Sequence, residues 1–283
     1  MLPHNKLAEV SSPAAPVHGA THDLTGGFRN LHLLLELVKR DFSMRFTGSA
    51  LGVAWAVLQP LSLVILYWFV FTKIFQGGVS PRGRPTDSGG DYVFFLICGL
   101  IVWLGFNEGV IRGTTSIVEN AALVRKLTFR SELLVLVPNL SALLFEVIGL
   151  ALFILYVALQ GRPLWDLWLL PFALVLQLAL QAGLSWLLAT THVFVRDVVQ
   201  VLGFALSIWF WLSPIVYPTP AEWARFFAWN PLTPLLGLFR SAVLAAPLPP
   251  ASSIVFLLIV ALGTFALGLG FFRRAQASLA DLI

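Results

Sequence analysis

Six stretches of this 283-residue chain are apolar over the length needed to cross a bilayer, and no other feature constrains its fold as strongly. A helix spans the hydrocarbon core with roughly 20 apolar residues. The stretches lie near residues 51–75, 92–111, 133–159, 167–192, 198–217 and 254–272. Only 11% of the chain is Asp, Glu, Lys or Arg, against about 25% in soluble domains. A soluble chain of this length could not cover its surface with so few charges, so the bilayer must solvate much of it. The expected fold is an all-α integral membrane protein with six transmembrane helices.

Lys and Arg then orient the spans. With the N-terminus in the cytoplasm, that side holds Lys6, Arg29, Lys39, Arg40, Arg45, Arg112, Arg125, Lys126, Arg130, Arg196, Arg273 and Arg274. The other side keeps Lys73, Arg82, Arg84, Arg162, Arg225 and Arg240. This bias places both termini inside, as six spans require. Basic residues set between apolar spans orient a chain in a membrane, and no nucleic-acid partner is expected. Residues 1–28 are rich in Ala, Pro, His and Gly, lack the apolar core of a signal peptide and read as a disordered tail. His4, His18 and His22 in that tail show no metal-ligand spacing, and no metal site is expected. Cys98 is the only cysteine, so no intramolecular disulfide can form. The expected division is a tail over 1–28, an interfacial helix over 29–48 and a six-helix membrane domain over 49–283.

Four segments outside the spans carry further information. In residues 29–46, Leu31, Leu35, Val38, Phe42 and Phe46 recur at helical spacing, while His32, Glu36, Lys39 and Ser43 form a polar stripe. Leu33 and Leu37 interrupt the amphipathic pattern. The segment reads as a helix in the cytoplasmic interface or as a stop-transfer flank. Residues 76–91 are an external loop whose glycines and prolines oppose regular structure. Residues 116–130 mix Glu119, Asn120, Arg125, Lys126 and Arg130 with Leu123, Val124, Leu127 and Phe129. This pattern fits a docking element for a soluble partner or a solvated connector. In residues 219–244, Thr219-Pro220-Ala221-Glu222 has the form of a capping box with proline at the first helical position. Asn230-Pro231 breaks the chain, and Thr233-Pro234 repeats the cap-plus-proline start. Two external helices of about ten residues follow, re-entrant or lying on the surface, each too short to span.

Catalytic patterns are sparse. The sequence has no Gly-x-x-x-x-Gly-Lys-Ser/Thr run to cradle nucleotide phosphates, so no cofactor is expected in this chain. His192 and Asp197 form a His-x-x-x-x-Asp spacing that resembles the motif of membrane glycerolipid acyltransferases, but without that family's other blocks. Polar groups inside spans are candidates by default. Glu146 lies mid-span, to bind substrate or to hydrogen-bond a neighbouring helix. Glu108 and Arg112 stand four apart and can pair along one helix face. Pro60, after Gln59, is an expected kink. Asn139-Leu140-Ser141 matches a glycosylation sequon but falls in a span. Tyr67, Phe71, Trp103, Trp209 and Tyr217 can line a passage where flat rings stack on sugars, or they can face lipid and neighbouring helices.

The run Arg40-Asp41-Phe42-Ser43-Met44-Arg45-Phe46-Thr47-Gly48-Ser49-Ala50-Leu51-Gly52-Val53-Ala54-Trp55-Ala56-Val57-Leu58-Gln59-Pro60-Leu61 resembles the ABC-2 type permeases that export O-antigen, capsule and teichoic-acid polysaccharides. Their pattern is a basic-acidic patch, then GSxLGxxWxxxxPL. The likeness continues through Asn120-Ala121-Ala122-Leu123-Val124-Arg125-Lys126, Arg196-Asp197, Ser213-Pro214-Ile215-Val216-Tyr217 and Asn230-Pro231. It departs at Phe129-Arg130, where the family often has Phe-Pro. The resemblance implies a homodimer in a bacterial inner membrane, with two copies of a separate P-loop ATPase that binds ATP and Mg. It implies a gate helix carrying Lys39, Arg40, Asp41 and Arg45, and a coupling helix with Glu119, Asn120, Leu123, Val124, Arg125, Lys126 and Phe129 seated in the ATPase. It further implies an external re-entrant hairpin and a lipid-linked glycan as cargo. Export of a small amphiphile by a sibling permease is the alternative within transport; acyl transfer through His192 and Asp197 is the alternative outside it.

Overall fold

The computed structural model describes residues 24–45, 47–70, 78–79, 85–86, 90–124, 131–219 and 221–282. Helix α1 covers Leu24–Met44. Gly48 and Gly52, two glycines of the GSxLG run, then take left-handed conformations, with φ of 83° and 51°. That geometry suits glycine, and it makes an elbow. A tight 3-10 turn, Gly52–Ala54, leads into α2, Trp55–Phe69. The first apolar helix therefore begins at Trp55, four residues later than the hydropathy places it. In the loop between α2 and the next helix, β1 (Gly78–Val79) pairs antiparallel with β2 (Pro85–Thr86), a short ladder where the Gly/Pro content opposes regular structure.

The body of the fold is α3 (Gly90–Glu119), α5 (Ser131–Leu159), α6 (Leu169–Phe194) and α10 (Ala251–Leu282). Among the described residues, these four helices are long and apolar enough to cross a membrane. α3 is the central one: 72% of its most apolar window is buried, against 17% for α10, which offers most of its surface outward. Its described length runs to Glu119, eight residues beyond the end at 111 expected from hydropathy, because Arg112 and Glu119 are accommodated as polar side chains at its C-terminal end.

The fifth apolar stretch departs further from expectation. Helix α7 covers only Val198–Trp211, so its 14 residues reach about 21 Å against a core of roughly 30 Å. Pro214 has no N–H with which to continue a helix, and Ile215 instead turns back to the Ser213 carbonyl at 2.7 Å. The segment 219–244 also differs from the expected pair of ten-residue helices. A 3-10 turn, Ala221–Trp223, and α8, Ala224–Ala228, form its first arm; α9, Leu232–Leu244, forms the second. Neither arm has a side-chain bond from its capping position. Asn230 serves α9 instead, accepting the Leu232 N–H on Oδ1 at 3.0 Å, while Thr233 lies inside the first turn. The two arms differ in surroundings. α9 buries Leu235, Leu236, Leu238, Phe239 and Val243 among the long helices, whereas α8 leaves Phe226 and the flanking Trp223 and Trp229 exposed.

Candidate functional site

Three polar assemblies are built into this apolar frame. At the Glu119 end of α3, α1 lies against α3 and α5. Its packed face is Leu34, Leu37, Val38, Asp41 and Phe42, with Arg45 one turn on. That spacing is a single helical stripe, rotated from the one read from hydropathy: Leu37 lies within it, and Leu35 is exposed. His32, Glu36, Lys39 and Ser43 all face outward, as their polarity requires, and so does Arg40. Arg112 of α3 donates through Nη2 to both Asp41 oxygens, at 2.7 and 2.9 Å. Arg45 donates to Glu108 at 2.6 Å and stacks over the Phe145 ring of α5. Arg112 Nη1 also lies 3.6 Å from Glu108, along the same helix face. Two acids and two bases thus alternate across the α1–α3 seam. All four are partly solvated, so each pair stabilises by at most about 1 kcal/mol. The ladder's larger effect is on register: a slip of α1 would bring like charges together.

Beyond Glu119 the chain leaves α3. The Asn120 side chain donates to the Ser116 carbonyl at 2.8 Å, and α4 (Ala121–Val124) is a single turn. Glu119 is thus the last residue of the α3 helix, separate from α4. Arg125, Lys126 and Phe129 lie outside the described residues, as does Phe71; for Leu123, Val124 and Tyr67 only the backbone is described.

The second assembly is a polar spine between α5 and α6. The Gln181 amide donates to the Asn139 carbonyl, and Ser185 Oγ donates to Asn139 Oδ1 at 3.2 Å. Farther along, Gln177 donates to the Glu146 carboxylate. Glu146 is therefore held between helices, one of the two roles open to it in the sequence. α3 makes room for this spine with Gly105, Gly109 and Gly113. A Cβ at these positions would overlap the Glu146 carboxylate, the Gln181 amide, and the Ser185 and Asn139 side chains, respectively. The Gly-x-x-x-Gly-x-x-x-Gly spacing marks a close-approach face in the sequence, a signal that hydropathy does not carry.

The third assembly lies at the opposite end of the long helices. Asn230 accepts from Trp209 Nε1 at 3.0 Å and donates to the Leu212 carbonyl and Ser213 Oγ, both at 2.9 Å. The Tyr92 hydroxyl donates to the Val216 carbonyl at 2.7 Å. Arg240 of α9 is buried, and among the described residues it has no carboxylate partner. It donates to the Ile215 carbonyl at 3.1 Å and lies 3.4 Å over the Phe95 ring. Arg240, which the charge pattern places only on the side opposite the termini, is thus a buried site residue.

Two nominated aromatic residues take packing positions. Trp103 is buried between Phe106 and Phe210, so a passing ligand has no open ring face there. Trp209 meets Phe106 edge-on while its N–H is held by Asn230. Tyr217 is partly exposed, its hydroxyl on the Trp211 carbonyl. His192 is buried and Asp197 exposed, and no hydrogen bond joins them among the described residues.

Comparison with known proteins converges on one group. The model of the ABC-2 type transporter family matches residues 32–244, from within α1 to the last residue of α9. The chain is 28% identical to the O-antigen export system permease protein RfbA of Myxococcus xanthus, over 81% of this chain and 86% of that protein. It is 24% identical to a Klebsiella pneumoniae protein of the same name, over 74% and 78%. It is also 24% identical to the polysialic acid transport protein KpsM of Escherichia coli, over 89% and 97%.

Proposed function

Because the chain belongs to the ABC-2 type transporter family, we propose that it is the membrane subunit of an exporter that carries a lipid-linked polysaccharide out of a bacterial cytoplasm. The observation that carries this reading is its likeness, along most of both chains, to permeases named for O-antigen and polysialic acid export. Two copies form the conduit, and two copies of a separate ATPase drive it. Each copy crosses the inner membrane six times with both termini inside; α2 and α7 complete the set begun by the four long helices. The α8–α9 arm re-enters from the outer face. The buried apolar face of α9 supports that position.

The inner charge ladder gives this machine a transmission. ATP binding draws the two ATPases together and moves the segment after α3, where Leu123, Val124, Arg125, Lys126 and Phe129 meet them. α3 carries that motion to α1 through Arg112–Asp41 and Glu108–Arg45. The subunit does no covalent chemistry; ATP and Mg belong to the partner.

A charge swap tests the reading. Arg112→Asp sets three acids together and should lower lipid-linked glycan export at least tenfold, with membrane insertion intact. Pairing it with Asp41→Arg restores opposite charges and should recover most of the export. Equal export by parent and Arg112→Asp chains would refute the transmission. Unchanged surface glycan after deletion of the gene would refute the cargo.

A further inference from the structure

The arm around α8 and the first turns of α10 flank an open cavity of about 530 Å³. Arg225, Ala228 and Trp229 form one wall; Ser252, Ser253 and Phe256 of α10 form the other. The part of α10 apolar enough to cross a membrane begins at Ala251, so this cavity lies where bilayer meets water. Trp229 fits that depth. Tryptophan is enriched at such boundaries; this one is 79% exposed and meets Phe256 edge-on, with ring centroids 6.1 Å apart.

Among the described residues, Arg225 is the only charged group in that lining. It is exposed, and none of the described acids pairs with it, Glu222 one turn earlier included. The Ser252 and Ser253 hydroxyls across the cavity are not engaged by any other described residue. A guanidinium facing two free hydroxyls suits the oxygens of a phosphate. With no acid in the lining to balance Arg225, a head of net negative charge is favoured over a zwitterion. Deeper along α10, Ser252 is followed on the same helix face by Val255, Ile259 and Leu262, at steps of three, four and three residues. These three side chains are 53%, 65% and 52% exposed. From Ser252 to Leu262 the stripe runs about 15 Å, half of a hydrocarbon core roughly 30 Å thick. A cation and hydroxyls at the boundary, then one leaflet's depth of open apolar surface, match a phosphate head that carries an acyl chain. A free phosphate would leave the stripe unused.

We propose that this cavity binds one anionic phospholipid of the phosphatidylglycerol type, its phosphate on Arg225 and the serine hydroxyls and one acyl chain along Val255, Ile259 and Leu262. The site lies within one subunit and does not depend on the glycan reading. The test uses the full-length chain in nanodiscs of equal phosphatidylcholine and phosphatidylglycerol, with the lipids it retains counted by native mass spectrometry. The parent chain should retain more phosphatidylglycerol than phosphatidylcholine. Arg225→Ala should lower the phosphatidylglycerol count by about one per chain, as expected for loss of the charge-assisted bond. Arg225→Lys should keep most of it, because a point charge still binds phosphate. Ser252→Asp places a carboxylate in the same wall to occupy Arg225 and should lose the same lipid; an acid there favours the start of the helix, so the fold is kept. Free glycerol phosphate should not displace the lipid. Equal retention of the two lipids by the parent, an unchanged count in Arg225→Ala, or displacement by glycerol phosphate would overturn the proposal. So would a disulfide between two Val255→Cys chains, which would put a second copy on this face; the native Cys98 is fully buried and contributes none.

Discussion

Asn230 shows how much one side chain can organise. It makes four hydrogen bonds, to Trp209, Leu212, Ser213 and the backbone N–H of Leu232. The end of α7 and the start of α9 are thereby joined through a residue that the sequence marks only as the partner of a proline. Asn230→Ala should destabilise the folded chain by about 2 kcal/mol, since it leaves several partly buried polar groups without partners. Unfolding of the purified protein by titrated denaturing detergent measures this. Arg240 is a second case. Its guanidinium reaches a carbonyl and covers an aromatic ring at once, a combination that depends on a planar fork. Arg240→Lys should therefore lower the melting temperature nearly as far as Arg240→Met does. Full rescue by lysine would show that charge alone matters there.

Among elements, the α3 glycine stripe and the α6–α10 contact decide how closely helices approach. A Cβ at Gly268 would collide with the Gly183 backbone, and one at Gly183 with the backbone at Thr264 and Phe265. Interhelical hydrogen bonds in membranes average about 0.6 kcal/mol, so the α5–α6 polar spine alone is a weak fastener. Close packing against α3 accounts for more. Gly109→Leu should consequently be more damaging than Ser185→Ala, which removes a single bond to Asn139. The first should cost at least about 2 kcal/mol by overpacking and the second under about 1 kcal/mol, read from the same detergent titration. Equal losses would show that hydrogen bonding governs this seam.

For the whole molecule, the large exposed apolar surface is the main physical fact. Val201, Phe204 and Trp211 of α7 and Ile259 and Leu267 of α10 face outward, and lipid or a second copy must cover them. The orientation can be tested directly because Cys98 is fully buried. With the native thiol shielded, a single introduced cysteine reports its own side. Ser43→Cys should react with a membrane-impermeant maleimide only in inside-out vesicles. Trp165→Cys, on the exposed turn between α5 and α6, should react only in right-side-out ones. Labelling of both from the same side would refute the six-span path with both termini inside.

Hydropathy alone determined that the chain is a helical membrane protein, because the cost of placing polar backbone and charge in lipid leaves so few alternatives. The GSxLG run pointed to the transporter family, and its two glycines form the α1–α2 elbow. The exposed stripe His32, Glu36, Lys39 and Ser43 on α1 was likewise legible from a 3.6-residue period. What only the tertiary structure decided was pairing between distant segments: Asp41 with Arg112, Arg45 with Glu108, Asn139 with Ser185, and Arg240 with Ile215. Periodicity identifies the face on which a residue lies; helix packing determines what that face meets. In an apolar medium any helix can present its greasy side to lipid or to a neighbour, so hydrophobicity leaves the partner open. Steric fit at glycines and the few polar groups that need partners select it.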